Sequence, residues 1–259
     1  MPVQTSYAHG TPSFIDLSTT DPEAAQTFYG ALFGWTFETN PTDDGGEYHM
    51  ARIDGKTAAG MMQKPEAMAD VPSMWSSYVT VSDLDQTLAA VEAAGGSIFM
   101  PSMPVMTAGT MAVVADPVGA VLCLWQAKDN IGSEVVNEHG ALTWTECQTP
   151  DVSAASAFYG ELFGWTTEEM DMGPAGTYTV FLRSGDGVAG AMNPPADGIP
   201  PHWAVVFAVD DCDQCTDQAL EAGGAILMPP MDIPVGRQAV LADPQGAVFG
   251  VIALAEPPA

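Results

Sequence analysis

Basic residues are nearly missing from this sequence: 6 Lys and Arg stand against 33 Asp and Glu in 259 residues, a formal net charge of −27. A surface of that sign repels phosphate backbones and anionic lipid heads, so neither nucleic acid nor a membrane surface is an expected partner. No run approaches the ~18 consecutive apolar residues of a membrane span, and the first residues carry neither a basic start nor an apolar stretch. The expected location is therefore the cytoplasm. The four cysteines are too few for a disulfide scaffold at this length. Cys212 and Cys215 have the spacing of a redox or zinc pair, but no second pair accompanies them and both open a predicted helix. A dinucleotide-type glycine loop, a Walker loop, an HExxH helix and a serine nucleophile elbow are all absent, which leaves nucleotide and acyl-transfer chemistry without support.

What the sequence does contain is itself, twice. With 47% hydrophobic residues, the chain can fill one large core or two of ~130 residues each. The stretch from Asp21 to Trp35, which holds Phe28-Tyr29-Gly30 and Leu32-Phe33-Gly34, returns from Asp151 to Trp165 at an offset of 130 (151 − 21). Ala115-Asp116-Pro117 and its following Gly119-Ala120-Val121 return as Ala242-Asp243-Pro244 with Gly246-Ala247-Val248, and Met100-Pro101 as Met228-Pro229. A repeat of this length is a duplicated domain, since solenoid units run to ~20–50 residues. We expect a first domain over 1–128, a linker over 129–141 and a second domain over 142–259.

Each half divides again. Residues 14–18 alternate as a strand. Asp21 and Pro22 supply a cap and a first-turn proline for a helix with Ala25, Phe28 and Leu32 on one face, which Gly34 ends. Three short strands follow at 35–39, 47–53 and 57–63, separated by the turn-rich segment 40–46 and by Asp54-Gly55. The same order recurs with a strand at 75–81, a helix opened by Asp83, a stop at Gly95-Gly96, and strands at 97–100, 111–115 and 121–126. The chain thus holds four βαβββ units. Whether units one and two share a barrel, or one and four, stays open at this level.

Two consecutive βαβββ units per half, with Asp-x6-Phe-Tyr after the first strand and Asp-Pro-x-Gly before the last, resemble the vicinal oxygen chelate superfamily of glyoxalases, extradiol dioxygenases, and fosfomycin- and bleomycin-resistance proteins. The resemblance covers 11–126 and 142–254. It extends to a tandem subfamily of glyoxalase-like and hydroxylase-labelled proteins that includes a mycobacterial antigen. It implies an α+β fold: a tandem duplicated glyoxalase-like chain whose four units form two incomplete eight-stranded barrels, with helices on the convex faces and a ligand cup inside. It also implies where a metal would be held in metal-dependent relatives. Those positions fall on Phe14, near Ser76 and on Cys123 in the first half, and on Trp144, near Ala204 and on Gly250 in the second. No His, Asp or Glu stands at any of them, whereas a divalent first-row metal asks for about three such ligands. His9, His49, His139 and His202 do not repeat between the halves. Neither a metal nor another cofactor is expected.

Strand parity then asks what faces the cup. If Phe14 faces it, so do Asp16 and Ser18; in the second half Trp144, Glu146 and Gln148 do. Asp16 and Glu146 stand at the same repeat position, giving each cup one carboxylate. Among aromatic walls such a carboxylate is raised by desolvation, as a general acid or base near neutrality requires. The competing role is capping a loop or pairing with a scarce cation. His202 falls toward the mouth of the second cup, either as a proton-transfer partner of Glu146 or as a rim residue. Tyr48 and Tyr178, Met50, Met111 and Trp125 are candidate ligand contacts beside Phe14 and Trp144. Met61, Met62, Met103 and Met106 add thioethers that suit an adaptable pocket as well as a core. Arg237 is either an anion anchor or half of a surface ion pair. Trp75 and Trp203 fall on the opposite parity, in the helix-packed core.

The expected function is metal-independent binding of an apolar or aromatic small molecule in a cup, with proton-transfer chemistry such as dehydration, cyclisation or isomerisation if it turns over. Asp16, Glu146 and His202 are the catalytic candidates, and Tyr178 or Arg237 would hold an oxyanion. Two other readings are a sequestering protein akin to the bleomycin-resistance proteins and a metal-dependent glyoxalase or dioxygenase with displaced ligands. The covalent duplication predicts a monomer of two pseudo-symmetric halves.

Overall fold

A computed structural model describes residues 3–42, 45–172 and 176–255, so part of the expected turn at 40–46 and both outer chain ends lie outside the described residues. The first unit runs β1 (Thr11–Thr19), α1 (Pro22–Phe33), β2 (Thr36–Pro41), β3 (Glu47–Ile53) and β4 (Lys56–Gln63). The second runs β5 (Met74–Thr80), α2 (Leu84–Ala93), β6 (Ser97–Val105), β7 (Gly109–Ala115) and β8 (Val121–Ala127). The second half repeats them as β9 (Leu142–Gln148), α3 (Val152–Phe163), β10 (Thr166–Asp171), β11 (Thr177–Arg183), β12 (Asp186–Met192), β13 (His202–Ala208), α4 (Cys212–Glu221), β14 (Ala225–Ile233), β15 (Gly236–Ala242) and β16 (Val248–Leu254). β6 is longer than its expected four residues: its apolar positions continue past Pro101 to Val105 as an edge strand bent by register shifts.

Local chemistry explains the helix ends. Asp21 and Asp151 accept from the backbone N–H groups of Ala24 and Ala154, satisfying donors that the first helical turn leaves open. Gly34 and Gly164 close α1 and α3 at φ 69°, in the left-handed region that glycine enters without strain.

Two eight-stranded mixed sheets result, ordered β2-β3-β4-β1-β5-β8-β7-β6 and β10-β11-β12-β9-β13-β16-β15-β14. The chain has the tandem α+β fold. Units one and two share a sheet, and units three and four share the other, with antiparallel β1–β5 and β9–β13 pairs at the centres.

The core follows the other pairing. One buried cluster joins Ile15, Leu17, Phe28, Tyr29 and Phe33 of unit one to Val205, Phe207, Leu241, Phe249 and Val251 of unit four. A second joins Val79, Leu84, Val114 and Leu122 of unit two to Phe158, Tyr159, Phe163 and Phe181 of unit three. α1 packs on α4, and α2 on α3. The helices therefore lie between the sheets, each half covering the other's helical face. Cys212 and Cys215 are free, buried and part of the first cluster, so their spacing is that of a helix face turned inward.

The repeat motifs meet at this interface. Tyr29 donates to Asp243 Oδ2 of the opposite half at 3.1 Å and accepts from the Trp75 indole N–H at 3.0 Å. Tyr159 donates to Asp116 Oδ2 at 3.1 Å and accepts from Trp203 at 2.8 Å. The indoles of Trp35 and Trp165 also cross over, donating to the carbonyls of Gly140 and Gly10. Gly96 and Gly224 leave room for Phe158 and Phe28: a Cβ there would lie 2.7 Å and 3.1 Å from the opposite half's ring carbons. Phe-Tyr-Gly and Asp-Pro-x-Gly are thus the two hands of an interdomain clasp.

Candidate functional site

The face of each sheet turned away from the helices is the cup. On β1, Ile15 and Leu17 enter the helix-side core, while Phe14 and Asp16 point the other way. Phe14, Met50, Tyr78, Cys123 and Trp125 form a buried cluster there, with Tyr48, Val105, Met111 and Val113 packed against it. The structure thus gathers Phe14, Asp16, Tyr48, Met50, Met111 and Trp125 on one face. Met61 is fully buried on the helix side, Met103 and Met106 are exposed, and the Met patch does not act as one surface.

Asp16 is the polar centre of the first cup, 5% exposed. Its Oδ2 accepts from Tyr78 at 2.8 Å and from Tyr48 at 3.1 Å, and Ser76 also bonds the carboxylate. Burial raises Asp16 above the usual carboxylate range; the bonds from Tyr78, Tyr48 and Ser76 offset only part of that. In the second cup Glu146, 9% exposed, accepts from Gln148 Nε2 at 2.9 Å and bonds Tyr178. Tyr178 accepts in turn from the Trp144 indole at 2.7 Å, so its own hydrogen is spent on Glu146. Burial raises Glu146 too, against the pull of Gln148, Tyr178 and the nearby His202. One His202 ring nitrogen, Nδ1, faces the Pro200 carbonyl at 2.9 Å. That bond places the hydrogen on Nδ1 and leaves the other nitrogen with a lone pair when the ring is neutral.

Sequence reasoning missed Tyr78, Ser76 and the glycines that let the tyrosines in. A Cβ at Gly60 would overlap the Tyr48 hydroxyl, and one at Gly190 the Tyr178 hydroxyl. The signal was present in Ala59-Gly60 and Ala189-Gly190, which repeat at the same offset of 130 (190 − 60) as the helices.

Arg237 departs from the anchor expectation. It shares strand parity with Ala239 and Leu241, which are helix-side core residues, and its guanidinium binds Asp213 and Asp232 at the surface. The surface ion pair is the role it fills, and an oxyanion in the cup cannot reach it. Two surface clefts, one lined by Asp21, Glu23, Glu47 and His49, the other by His9, Asp83, Gln86 and Glu161, lie outside both cups.

The positions that would hold a family metal do not fit one. Phe14 and Tyr78 meet edge to face, ring centroids 5.7 Å apart. Burial, followed by the charge of Asp16, pushes the Cys123 thiol up, away from the thiolate a metal binds. Ala204 and Gly250 offer no donor side chain. Among the described residues no three His, Cys, Asp or Glu side chains converge as a metal site. No helix among them is long and apolar enough to cross a membrane.

Three buried carboxylates, Asp16, Glu146 and Asp243, are held above their ordinary range chiefly by burial. The folded chain then binds protons more tightly than the unfolded chain, so stability falls as pH rises from about 4 through the raised values. Repulsion within a net charge of −27 acts in the same direction and is screened by salt. The melting temperature should be higher near pH 5.5 than at pH 8, and added sodium chloride should raise it more at pH 8. A melting temperature that climbs steadily toward pH 8 at low salt contradicts this.

The family comparisons agree with the duplicated topology. Residues 14–125 match the "Glyoxalase-like domain" model and 141–251 the "Glyoxalase/Bleomycin resistance protein/Dioxygenase superfamily" model. "Putative glyoxylase CFP32" of Mycobacterium tuberculosis is 43% identical over 256 residues, covering 97% of this chain and 98% of the relative. "Anthracycline biosynthesis protein DnrV" of Streptomyces peucetius is 36% identical over 266 residues, covering 97% and 96%. Among solved structures, homoprotocatechuate 2,3-dioxygenase from Arthrobacter globiformis superposes with a TM-score of 0.67 at 16% identity, covering 97% of this chain and 82% of that one. The Mn(II)-bound glyoxalase from Novosphingobium aromaticivorans superposes with a TM-score of 0.65 at 13% identity, covering 96% and 86%; at these identities the likeness speaks for the fold. With both halves matched and full-length relatives well above 30% identity, the chain belongs to the glyoxalase, bleomycin resistance protein and dioxygenase superfamily.

Proposed function

We propose that this is a cytoplasmic, monomeric protein that binds an apolar or aromatic metabolite in a barrel cup without a metal, and that a buried carboxylate moves a proton on that ligand. The domains would span 1–128 and 142–259, joined by 129–141. The observation that carries the reading is the pair Asp16 and Glu146: one carboxylate per cup, at matching positions on a central strand, buried and bonded to tyrosine. A carboxylate raised by burial takes a proton from a carbon acid and returns it near neutrality, as dehydration, cyclisation or isomerisation requires. Kinship with a protein named for anthracycline biosynthesis, along nearly the whole chain, favours a flat aromatic polyketide as ligand class.

In this reading Glu146 or Asp16 is the acid or base, and His202 supplies a second proton site at the rim. Tyr178 serves an oxyanion only by giving up its bond to Glu146, so its resting role is to hold the carboxylate. Trp144, Phe14, Met50, Met111 and Trp125 exclude water from the reacting group.

The test substitutes Asp16→Asn and Glu146→Gln and follows a panel of hydroxylated anthraquinones and their reduced, uncyclised precursors by calorimetry and product mass spectrometry. We expect binding to survive within about tenfold and turnover to fall by ~10²-fold or more in one of the variants. Tight binding with no turnover by the parent protein replaces the enzyme reading with sequestration. Turnover that persists in both variants overturns the carboxylate role, and activity that tracks a stoichiometric divalent metal overturns the metal-free one.

A further inference from the structure

We infer that the two cups are unequal: the first is sealed by the chain's own side chains, and the second alone takes a ligand, a flat polycyclic aromatic whose hydroxyl group donates to Glu146. This rests on the binding reading above and narrows it to one site and one contact.

Strand register allows the cups to be compared position by position. Phe14 opposes Tyr78, which opposes Cys123; in the second half Trp144 opposes Val206, which opposes Gly250. Met111 opposes Trp125 where Gln238 opposes Ile252. From the first cup to the second, Tyr becomes Val, Cys becomes Gly and Trp becomes Ile on two adjoining strands. The larger set closes into a buried cluster, while no such cluster forms among the described residues of the second cup. Phe14→Trp144 grows, as do Asp16→Glu146 and Ser18→Gln148 on the same strand and Ala127→Leu254 at the end of the last one, and the Trp144 indole is half-buried with its N–H fixed on Tyr178. That leaves an immobilised aromatic surface of the kind on which a planar ligand stacks.

A strap reinforces the first closure. After β8 the chain bonds the carbonyls of Ala108 and Ser13 through the N–H groups of Lys128, Asn130 and Ser133. Asn130 holds the Trp125 indole through its carbonyl at 2.8 Å. Gly132 crosses so near β1 that a Cβ there would lie 3.2 Å from that of Phe14. This segment fixes Phe14 and Trp125, the two rings that flank the first cup.

Hydrogen-bond supply separates the carboxylates as well. Asp16 is served by three hydroxyls, from Tyr78, Tyr48 and Ser76. Opposite Glu146 the same strand offers Ala204, with Val206 beyond it, and neither can donate. Glu146 keeps Gln148 and Tyr178, two partners for about four acceptor positions, although it is nine-tenths buried. A phenolic or alcoholic hydroxyl entering the cup supplies what Tyr78 supplies in the first.

The experiment uses the full chain and a dihydroxyanthraquinone as probe, with affinity from calorimetry, stoichiometry from native mass spectrometry, and quenching of tryptophan emission. One probe should bind per chain. Val206→Tyr, which imports the first cup's filling, should weaken it at least tenfold, and Gly250→Cys in the same direction. Cys123→Gly in the sealed cup should leave affinity within twofold. Trp144→Phe should remove most of the quenching on binding. Two probes per chain, or a loss of affinity in Cys123→Gly and none in Val206→Tyr, overturns the inference while leaving small-molecule binding intact. If Val206→Tyr does not fold, stoichiometry and the Trp144→Phe quenching decide. No binding of the probe at all overturns both this inference and the aromatic-ligand reading beneath it.

Discussion

Asp243→Ala should cost the chain about 3 kcal/mol or more, since several buried donors lose one acceptor together at roughly 1–3 kcal/mol each. Asp243 is 3% exposed; its Oδ1 accepts from the backbone N–H groups of Gln245 and Ala247, and its Oδ2 from the Tyr29 hydroxyl of the other half. With the carboxylate gone, that hydroxyl keeps the Trp75 indole as a donor but has no acceptor for its own hydrogen, inside an aromatic cluster where the Tyr29 and Trp75 ring centroids lie 5.3 Å apart. Asp116→Ala should behave alike, because Asp116 accepts from the N–H groups of Val118, Gly119 and Ala120 and from Tyr159. Asparagine at either site keeps an oxygen for the turn and loses only the tyrosine's acceptor, so it should cost about 1 kcal/mol. Urea unfolding measures all four. Because both core clusters draw on both halves, the parent should unfold in one transition by fluorescence and circular dichroism alike. Alanine variants that lose less than 1 kcal/mol, or two separated transitions in the parent, would remove the clasp.

That clasp marks the boundary of what the sequence makes legible. Asp21, Pro22 and Gly34 act through bonds within four residues, so the helices and their ends can be read directly. Alternation placed Asp16 opposite Ile15 and Leu17 because strand faces are set by period two. Trp75 and Trp203 were readable as helix-side core on the same ground. Neighbours in space that are far apart in sequence were not readable. Tyr29 meets Asp243 across 214 residues, and nothing in either motif says that one half's tyrosine takes the other half's aspartate. Arg237 shares its face of β15 with the core residues Ala239 and Leu241 two and four positions on, so strand parity separates it from the cup, whereas the scarcity of cations alone points to a ligand anchor. Tyr78 is not legible in the repeat because its counterpart Val206 breaks it. The difference between the halves, which now separates the cups, is the part of the sequence that a search for similarity discards.

Gly60→Ala and Gly190→Ala turn that difference into a measurement. In both halves a new Cβ would overlap the tyrosine hydroxyl that bonds the cup carboxylate, but the rings have unequal room to withdraw. Around Gly60 the Phe14 ring is also at 3.0 Å, and the half-buried Tyr48 packs against the cluster of Phe14, Met50, Tyr78 and Trp125. The added methyl must therefore displace a packed cluster, and overpacking of this kind costs about 1–3 kcal/mol, to which the broken Tyr48–Asp16 bond adds about 1 kcal/mol. Around Gly190 the three nearest atoms all belong to Tyr178, which packs against none of the three buried clusters, so its ring has more room to withdraw. Stability should fall little there, by roughly 1 kcal/mol for the lost hydrogen bond. Glu146 would then keep Gln148 alone, and Trp144 would lose the hydroxyl that fixes its indole. Ligand affinity should respond in the reverse order, with Gly190→Ala weakening binding at least tenfold and Gly60→Ala leaving it nearly unchanged in the fraction that stays folded. Tyr48→Ala should rescue most of the Gly60→Ala stability loss, since the clash needs both groups. Equal stability losses at the two glycines would mean that the second cup is as tightly filled as the first, and the assignment of the ligand to it would fail.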